Sequence, residues 1–182
     1  MITLEKPKKL KHYLALYRLY MQAFPASERK PVSMILKTCR EGRADIWCAM
    51  EGGRFAGLAV TVNSADTVLL DYLAVVKAQR NHGIGAAIIQ ALLQKYPGKG
   101  LFIEIESTYA DVPDRDLRLR RKAFYLRSGF VPMQVMVNLF GVQMELLGID
   151  CRLTFQEYHS FYHDNYSPWA AEHITEAVHP EA

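Results

Sequence analysis

The run of elements between residues 67 and 95 limits this chain more than any other feature. TVLLDYLAVV is apolar and β-branched enough for a strand, and the KAQRNHGIG that follows is polar and contains glycine. Ile84, Ala87, Ile88, Ala91 and Leu92 then recur at i, i+3, i+4, i+7 and i+8, the period of a helix with one apolar face. A strand that enters a helix through such a loop presents the helix N-terminus, with its unpaired N–H groups and partial positive charge, just past the strand end. Small residues there let phosphate oxygens approach the backbone. No Gly-Lys-Ser/Thr follows as in a Walker A loop, and Ile88 stands where a Rossmann loop needs a small residue. What remains is a pyrophosphate cradle of another kind.

The flanks predict the rest of the architecture. Leu10, Tyr13, Leu14, Tyr17, Met21 and Phe24 are spaced for a helix that packs this stripe on a core, and Pro25 ends it. Ser33 is placed to cap a second helix through Arg40, with Met34, Ile35 and Thr38 on one side and Gly42 beyond its end. Two helices are therefore expected before any sheet. IWCAM, FAGLAVTV and TVLLDYLAVV follow as strands joined by short turns at 51–54 and 63–66, an antiparallel meander. After the glycine-loop helix, Leu101 to Glu106 reads as a strand, which implies a β-α-β crossover, and a helix runs from about Arg115 to Ser128, closed by Gly129. Gln134 to Ile149 alternates as one or two strands. Thr154 and Glu157 form a capping signature for a helix (about 154–165) carrying Phe155, Tyr158, Phe161 and Tyr162. The tail from about Pro168 reads as loosely held. The fold class is α/β with a mixed α+β sheet, in one domain over residues 1–182 with its core at about 10–150.

A net charge of +3 from 22 basic and 19 acidic residues suits one compact anion better than a run of phosphates, so nucleic acid is not expected as a partner. No stretch reaches the ~20 apolar residues of a membrane span, and the basic start lacks a cleavage site, so a cytoplasmic protein with no membrane partner is expected. Cys39, Cys48 and Cys151 show no C-x-x-C spacing, so neither a zinc site nor any other metal is indicated.

The loop resembles the acetyl-CoA loop of the GNAT N-acetyltransferase superfamily, Q/R-x-x-G-x-G/A, matched by Arg80, Gly83 and Gly85, with Ala86 following. Upstream, LDYLAV resembles the family's central strand, which splays from its neighbour to receive pantetheine. Downstream, AFYLRSGF resembles its second signature. The resemblance covers roughly residues 10–150. ER-x-P at Glu28 to Pro31 and the pair Glu104 and Glu106 also resemble bacterial members of unassigned substrate.

The resemblance implies an enzyme that moves acetyl from acetyl-CoA to a primary amine of a small molecule, peptide or protein. It implies donor contacts from Arg80, Asn81, His82, Gly83, Ile84, Gly85 and Ala86, and an oxyanion held by amides around Leu73, Ala74 and Val75. It also makes Tyr125 the acid that returns a proton to the CoA thiolate. An alkylammonium with pKa near ~10 must lose a proton before it attacks, so a base or a water path is needed. Asp71, inside an apolar strand, and Glu104 and Glu106, on one face of IEIE, are the candidates. His82 has the bland reading of an exposed loop ring. Arg115, Arg118, Arg120, Arg121 and Lys122 read as a solvated helix face, with a nucleotide phosphate or an acidic substrate as the other reading. The aromatic helix is expected to pack on the core or on a second copy, which allows a homodimer. A non-catalytic acyl-CoA sensor is the competing function, and a generic nucleotide-binding α/β domain a weaker one.

Overall fold

The meander begins one strand earlier than the sequence pattern indicates. In the computed structural model, which describes residues 1–26 and 28–178, β1 (Ile2–Glu5) pairs antiparallel with β2 (Ala44–Glu51), so a strand precedes the two helices. A four-residue edge strand is too short to show a convincing alternation, which is why only the basic segment after it stood out.

The chain divides into two compact units, residues 1–63 with 68–98, and residues 64–67 with 99–182. In the first, β3 (Arg54–Asn63) pairs antiparallel with β2 and with β4 (Thr67–Val75). The helices α1 (Leu10–Ala23) and α2 (Val32–Arg40) cover one face. Their shared core gathers Leu16, Leu19, Tyr20 and Ile35 from the helices and Cys48, Met50, Leu58, Val60, Tyr72 and Ala74 from the strands.

Two expectations about these helices are corrected. The stripe read as the core face of α1 is its outer face: Leu10 is 76% exposed, Leu14 47% and Tyr17 51%. Leu16, Leu19 and Tyr20 are buried instead. Both sets recur at three and four residues, so periodicity alone could not choose between them. Ser33 does not cap α2, which starts at Val32 behind Pro31 with no side-chain cap. The proline's fixed φ of −53° leads into the first turn without one.

On the opposite face lies α3 (Ile84–Lys95), with Ile84, Ile88, Ile89 and Leu92 buried. Its far end is pinned by Tyr96. The Trp47 indole donates to the Tyr96 hydroxyl (3.1 Å), which lies 2.6 Å from Thr61 Oγ1 and donates to Asp45 (2.7 Å). At its near end Gly57 lets the helix and β4 approach: a Cβ there would stand 2.6 Å from Ala74 O and 3.0 Å from Ile88 Cδ1.

The second unit holds β5 (Gly100–Glu106), α4 (Arg115–Arg127), β6 (Val131–Leu139), β7 (Val142–Ile149), α5 (Phe155–Asn165), α6 (Pro168–Glu172) and β8 (Ile174–Ala177). The strands pair antiparallel in the order β5, β7, β6, β8. The capping box of α5 forms as expected, with Thr154 Oγ1 accepting from Glu157 N and Glu157 accepting from Thr154 N. Tyr158, Phe161 and Tyr162 are buried within this unit, which accounts for the side chains that had allowed a second copy.

The loosely held tail is corrected as well. Ser167 caps α6, Ala170 and Ala171 are buried, and β8 adds to β6 from Met136↔Ala177 to Leu139↔Ile174. Elements of five and four residues fall below what a pattern can reveal. Residues 179–182 of that tail lie outside the described residues. Among the described residues no helix is long and apolar enough to cross a membrane.

Candidate active site

The glycine loop has the geometry its sequence implied. After β4 the chain makes a 3-10 turn over Lys77–Gln79, and two left-handed residues, Asn81 (φ 66°) and Gly83 (φ 76°), then swing it into α3. Asparagine tolerates that region and glycine occupies it without penalty. A Cβ at Gly83 would meet nothing within 4 Å, so backbone angle and not space calls for glycine there.

The helix takes no side-chain cap. Its first bond runs from Ala87 N to Gly83 O (3.0 Å), so the amides of Ile84, Gly85 and Ala86 point out of the first turn with no partner inside the helix. Arg80 folds back and donates Nε–H to the Val75 carbonyl (3.1 Å), which brings its guanidinium to the strand end. Asn81 and His82 are exposed in the same loop. Positive helix end, guanidinium and open amides together suit a pyrophosphate. Beside them Leu73, Ala74 and Val75 pair with Ala59, Leu58 and Gly57 on β3.

Asp71 lies on the same strand with its side chain only 7% exposed, and Lys30 Nζ donates to its Oδ1 at 2.8 Å. The buried carboxylate thus has the cation that makes its burial tolerable. Lys30 belongs to a clamp that sequence reasoning missed. The Tyr72 hydroxyl accepts from Lys30 N (3.0 Å) and donates to Glu28 O (2.9 Å), while the Tyr20 hydroxyl donates to Lys30 O (3.0 Å). Burial, and then the Asp71 charge, pushes the Tyr72 hydroxyl far above the usual tyrosine value. Burial raises Tyr20 too. Both tyrosines therefore stay protonated. The only signal of the clamp in the sequence was ER-x-P itself.

In the second unit the two other candidate carboxylates are both engaged. Tyr158 and Tyr162 each donate to Glu104 Oε1 at 2.8 Å, which ties α5 to β5. Glu106 receives Arg118 NH2 (3.1 Å) and Arg121 NH1 (2.8 Å). Glu145, which the sequence did not single out, is buried and accepts from Thr108 N (2.6 Å), Thr108 Oγ1 (2.7 Å) and Lys122. Burial works to raise its carboxyl, but these donors outweigh it and hold the group below the usual carboxylate range. The basic run on α4 is therefore not a solvated face. Arg115 donates to Thr108 O (3.1 Å), and Arg118, Arg121 and Lys122 reach the two glutamates, which leaves Arg120 exposed.

Tyr125 ends the same helix. Phe130 N donates to Tyr125 O (3.1 Å), and the buried Phe130 ring meets the Tyr125 ring edge-on at 5.5 Å. The FYLRSGF segment thus closes α4 and sets this ring by its own local contacts. Burial pushes the Tyr125 hydroxyl up to about 12, against a smaller lowering by Arg121.

Comparison with known proteins follows from this geometry. No curated protein matches the chain. Among solved structures it is similar to a GNAT-family protein from Bacteroides thetaiotaomicron (TM-score 0.75, 16% identity, 94% of this chain and 98% of that one). It is also similar to a Bacillus subtilis acetyltransferase in complex with CoA (0.58, 18%, 82% and 97%). A third is a GNAT acetyltransferase from Elizabethkingia anophelis with acetyl-CoA bound (0.57, 18%, 83% and 97%). At such identities the likeness speaks for the mixed α/β fold alone. The acetyltransferase (GNAT) family model matches residues 13–130, well over half of the chain and inclusive of β2 to β4, the glycine loop and FYLRSGF. The chain belongs to the GNAT acetyltransferase family.

Proposed function

We propose that the whole chain acts as one N-acetyltransferase, moving the acetyl group of acetyl-CoA to a primary amine by direct attack within a ternary complex. The uncapped start of α3 behind Gly83 carries this reading, since it offers three adjacent amides and a folded-back arginine to one compact anion. Two of the similar structures hold CoA or acetyl-CoA.

In this reading Ile84, Gly85 and Ala86 donate backbone N–H to the pyrophosphate, and Arg80 supplies a paired charge. Asn81 and His82 line the loop. Amides around Leu73, Ala74 and Val75 hold the thioester carbonyl and its developing negative charge. Tyr125 keeps its proton at neutral pH and donates it to the departing sulfur. Of the carboxylates, Asp71 suits the base best. Lys30 takes its Oδ1, it shares β4 with the carbonyl-binding amides, and it accepts the amine's proton directly or through a water. Glu104 and Glu106 anchor helices through their tyrosine and arginine partners.

The test is thiol release from acetyl-CoA across a panel of amines, peptides and amino acids. The parent is expected to turn over at least one acceptor, and Tyr125→Phe to bind acetyl-CoA normally while kcat falls by ~10² or more. A parent that binds acetyl-CoA but acetylates nothing in a broad panel would favour the acyl-CoA sensor.

A further inference from the structure

The outer face of α1 carries a row of apolar side chains that are exposed among the described residues. Leu10 is 76% exposed, Tyr13 46%, Leu14 47%, Tyr17 51% and Met21 42%. At 100° per residue they form one ridge along the 14-residue helix, beside the stripe of buried Leu16, Leu19 and Tyr20. A solvent-facing stripe this continuous is not the scatter of single apolar residues that surfaces normally show.

The charges along the ridge are basic, and the exposed Glu28 lies beyond its end. Lys8 and Lys9 stand exposed at its start, and Lys11 and Arg18, seven residues apart, form a flank on one side. The Arg29 guanidinium lies 2.7 Å from the Met21 sulfur at its end. No Asp or Glu occurs between Lys6 and Phe24. An apolar ridge with tyrosines on it and long cationic side chains along it is the pattern of a helix that lies in a lipid interface. Tyrosine rings seat at the headgroup level, and lysine and arginine stems extend along the apolar surface to reach phosphates. A basic start, one basic flank and a basic end along an apolar ridge match a uniformly negative plane.

The geometry points to α1 as a docking helix for an anionic phospholipid surface, with Leu10, Leu14, Tyr17 and Met21 entering the interface and Lys11, Arg18 and Arg29 engaging headgroups. The sequence had suggested no membrane partner because no stretch reaches the length of a membrane span, and it placed this same stripe in the core.

Co-sedimentation with vesicles tests this. The full chain is mixed with phosphatidylcholine vesicles that hold about 30% phosphatidylglycerol, or none, at ~50 mM and ~500 mM salt. The protein is expected in the pellet only with anionic vesicles at low salt. Lys11→Gln with Arg18→Gln should weaken binding about 25-fold, roughly fivefold for each cation lost, and Leu14→Glu with Tyr17→Glu should abolish it. These side chains are exposed, and an unchanged melting midpoint shows that the variants fold. Equal pelleting with neutral and anionic vesicles, or binding that survives the Leu14/Tyr17 change, would overturn the proposal. So would a parent dimer that this change converts to monomer, since a second copy would then cover the ridge.

Discussion

Removing one oxygen atom from Tyr72 should loosen the segment between α1 and α2. The Tyr72 side chain is 5% exposed, and its hydroxyl makes two bonds to main chain more than 40 positions away, accepting from Lys30 N at 3.0 Å and donating to Glu28 O at 2.9 Å. Tyr72→Phe deletes both and retains the ring, which meets Tyr20 and Phe24 edge-on at 5.0 and 4.9 Å. Two ordinary hydrogen bonds contribute about 2 kcal/mol. Near 180 residues, each kcal/mol moves the midpoint by roughly 2 to 4 °C. The expected drop is therefore about 4 to 8 °C in a thermal scan followed by circular dichroism. Tyr20→Phe removes the bond to Lys30 O at 3.0 Å together with the contact to the Tyr72 hydroxyl, so it too should lower the midpoint. Because both tyrosines hold Lys30, the double variant should lose less than the two single losses added together. A Tyr72→Phe protein that melts within about 1 °C of the parent would refute the clamp.

Three further outcomes follow from the same contacts. Gly83→Ala has room for its methyl but not the backbone angle, φ 76°, so it should lower stability by about 1 to 2 kcal/mol and weaken acetyl-CoA binding, read by melting and calorimetry. The Glu145 carboxyl is held below its unfolded value, so its stabilisation is present above the usual carboxylate range and lost as pH falls through the lowered folded value. Glu145→Gln should accordingly flatten the acid limb of a stability-against-pH profile while lowering stability at neutral pH; an unchanged acid limb would count against the Lys122 and Thr108 contacts. Asp71→Asn should reduce kcat more than KM and shift the alkaline-rising limb of the rate profile, and a profile identical to the parent's would leave water as the base.

What the sequence made legible was local. The donor loop depends on features that follow one another directly along the chain, a strand end, two left-handed residues and an amphipathic helix, and each leaves a mark in composition or period. The closure of α4 by Gly129 and the capping box at Thr154 are local in the same way. What could not be read was a choice between equals or a contact across distance. The first helix carries two apolar stripes, and only the packed sheet shows that Leu16, Leu19 and Tyr20 face inward. Asp71 could be recognised as an expensive buried carboxylate, but not that Lys30, 41 positions earlier, would meet it. The basic run on α4 looked like a solvated face because Glu106 and Glu145, its partners, lie on strands that the helix must first be folded against. The short elements β1, α6 and β8 gain their order from pairing and capping, which no window of four or five residues can announce.

The central claim is that the loop from Arg80 to Ala86 holds the donor's phosphates, and thermal unfolding with and without excess acetyl-CoA tests it without any knowledge of the acceptor. At ~100 times its dissociation constant the ligand adds about 2.7 kcal/mol. That corresponds to a rise of roughly 5 to 11 °C for a chain of this size. The account predicts such a rise in the parent and a clearly smaller one in Arg80→Ala at the same concentration. No rise with millimolar acetyl-CoA, in a protein that melts cooperatively, would contradict it.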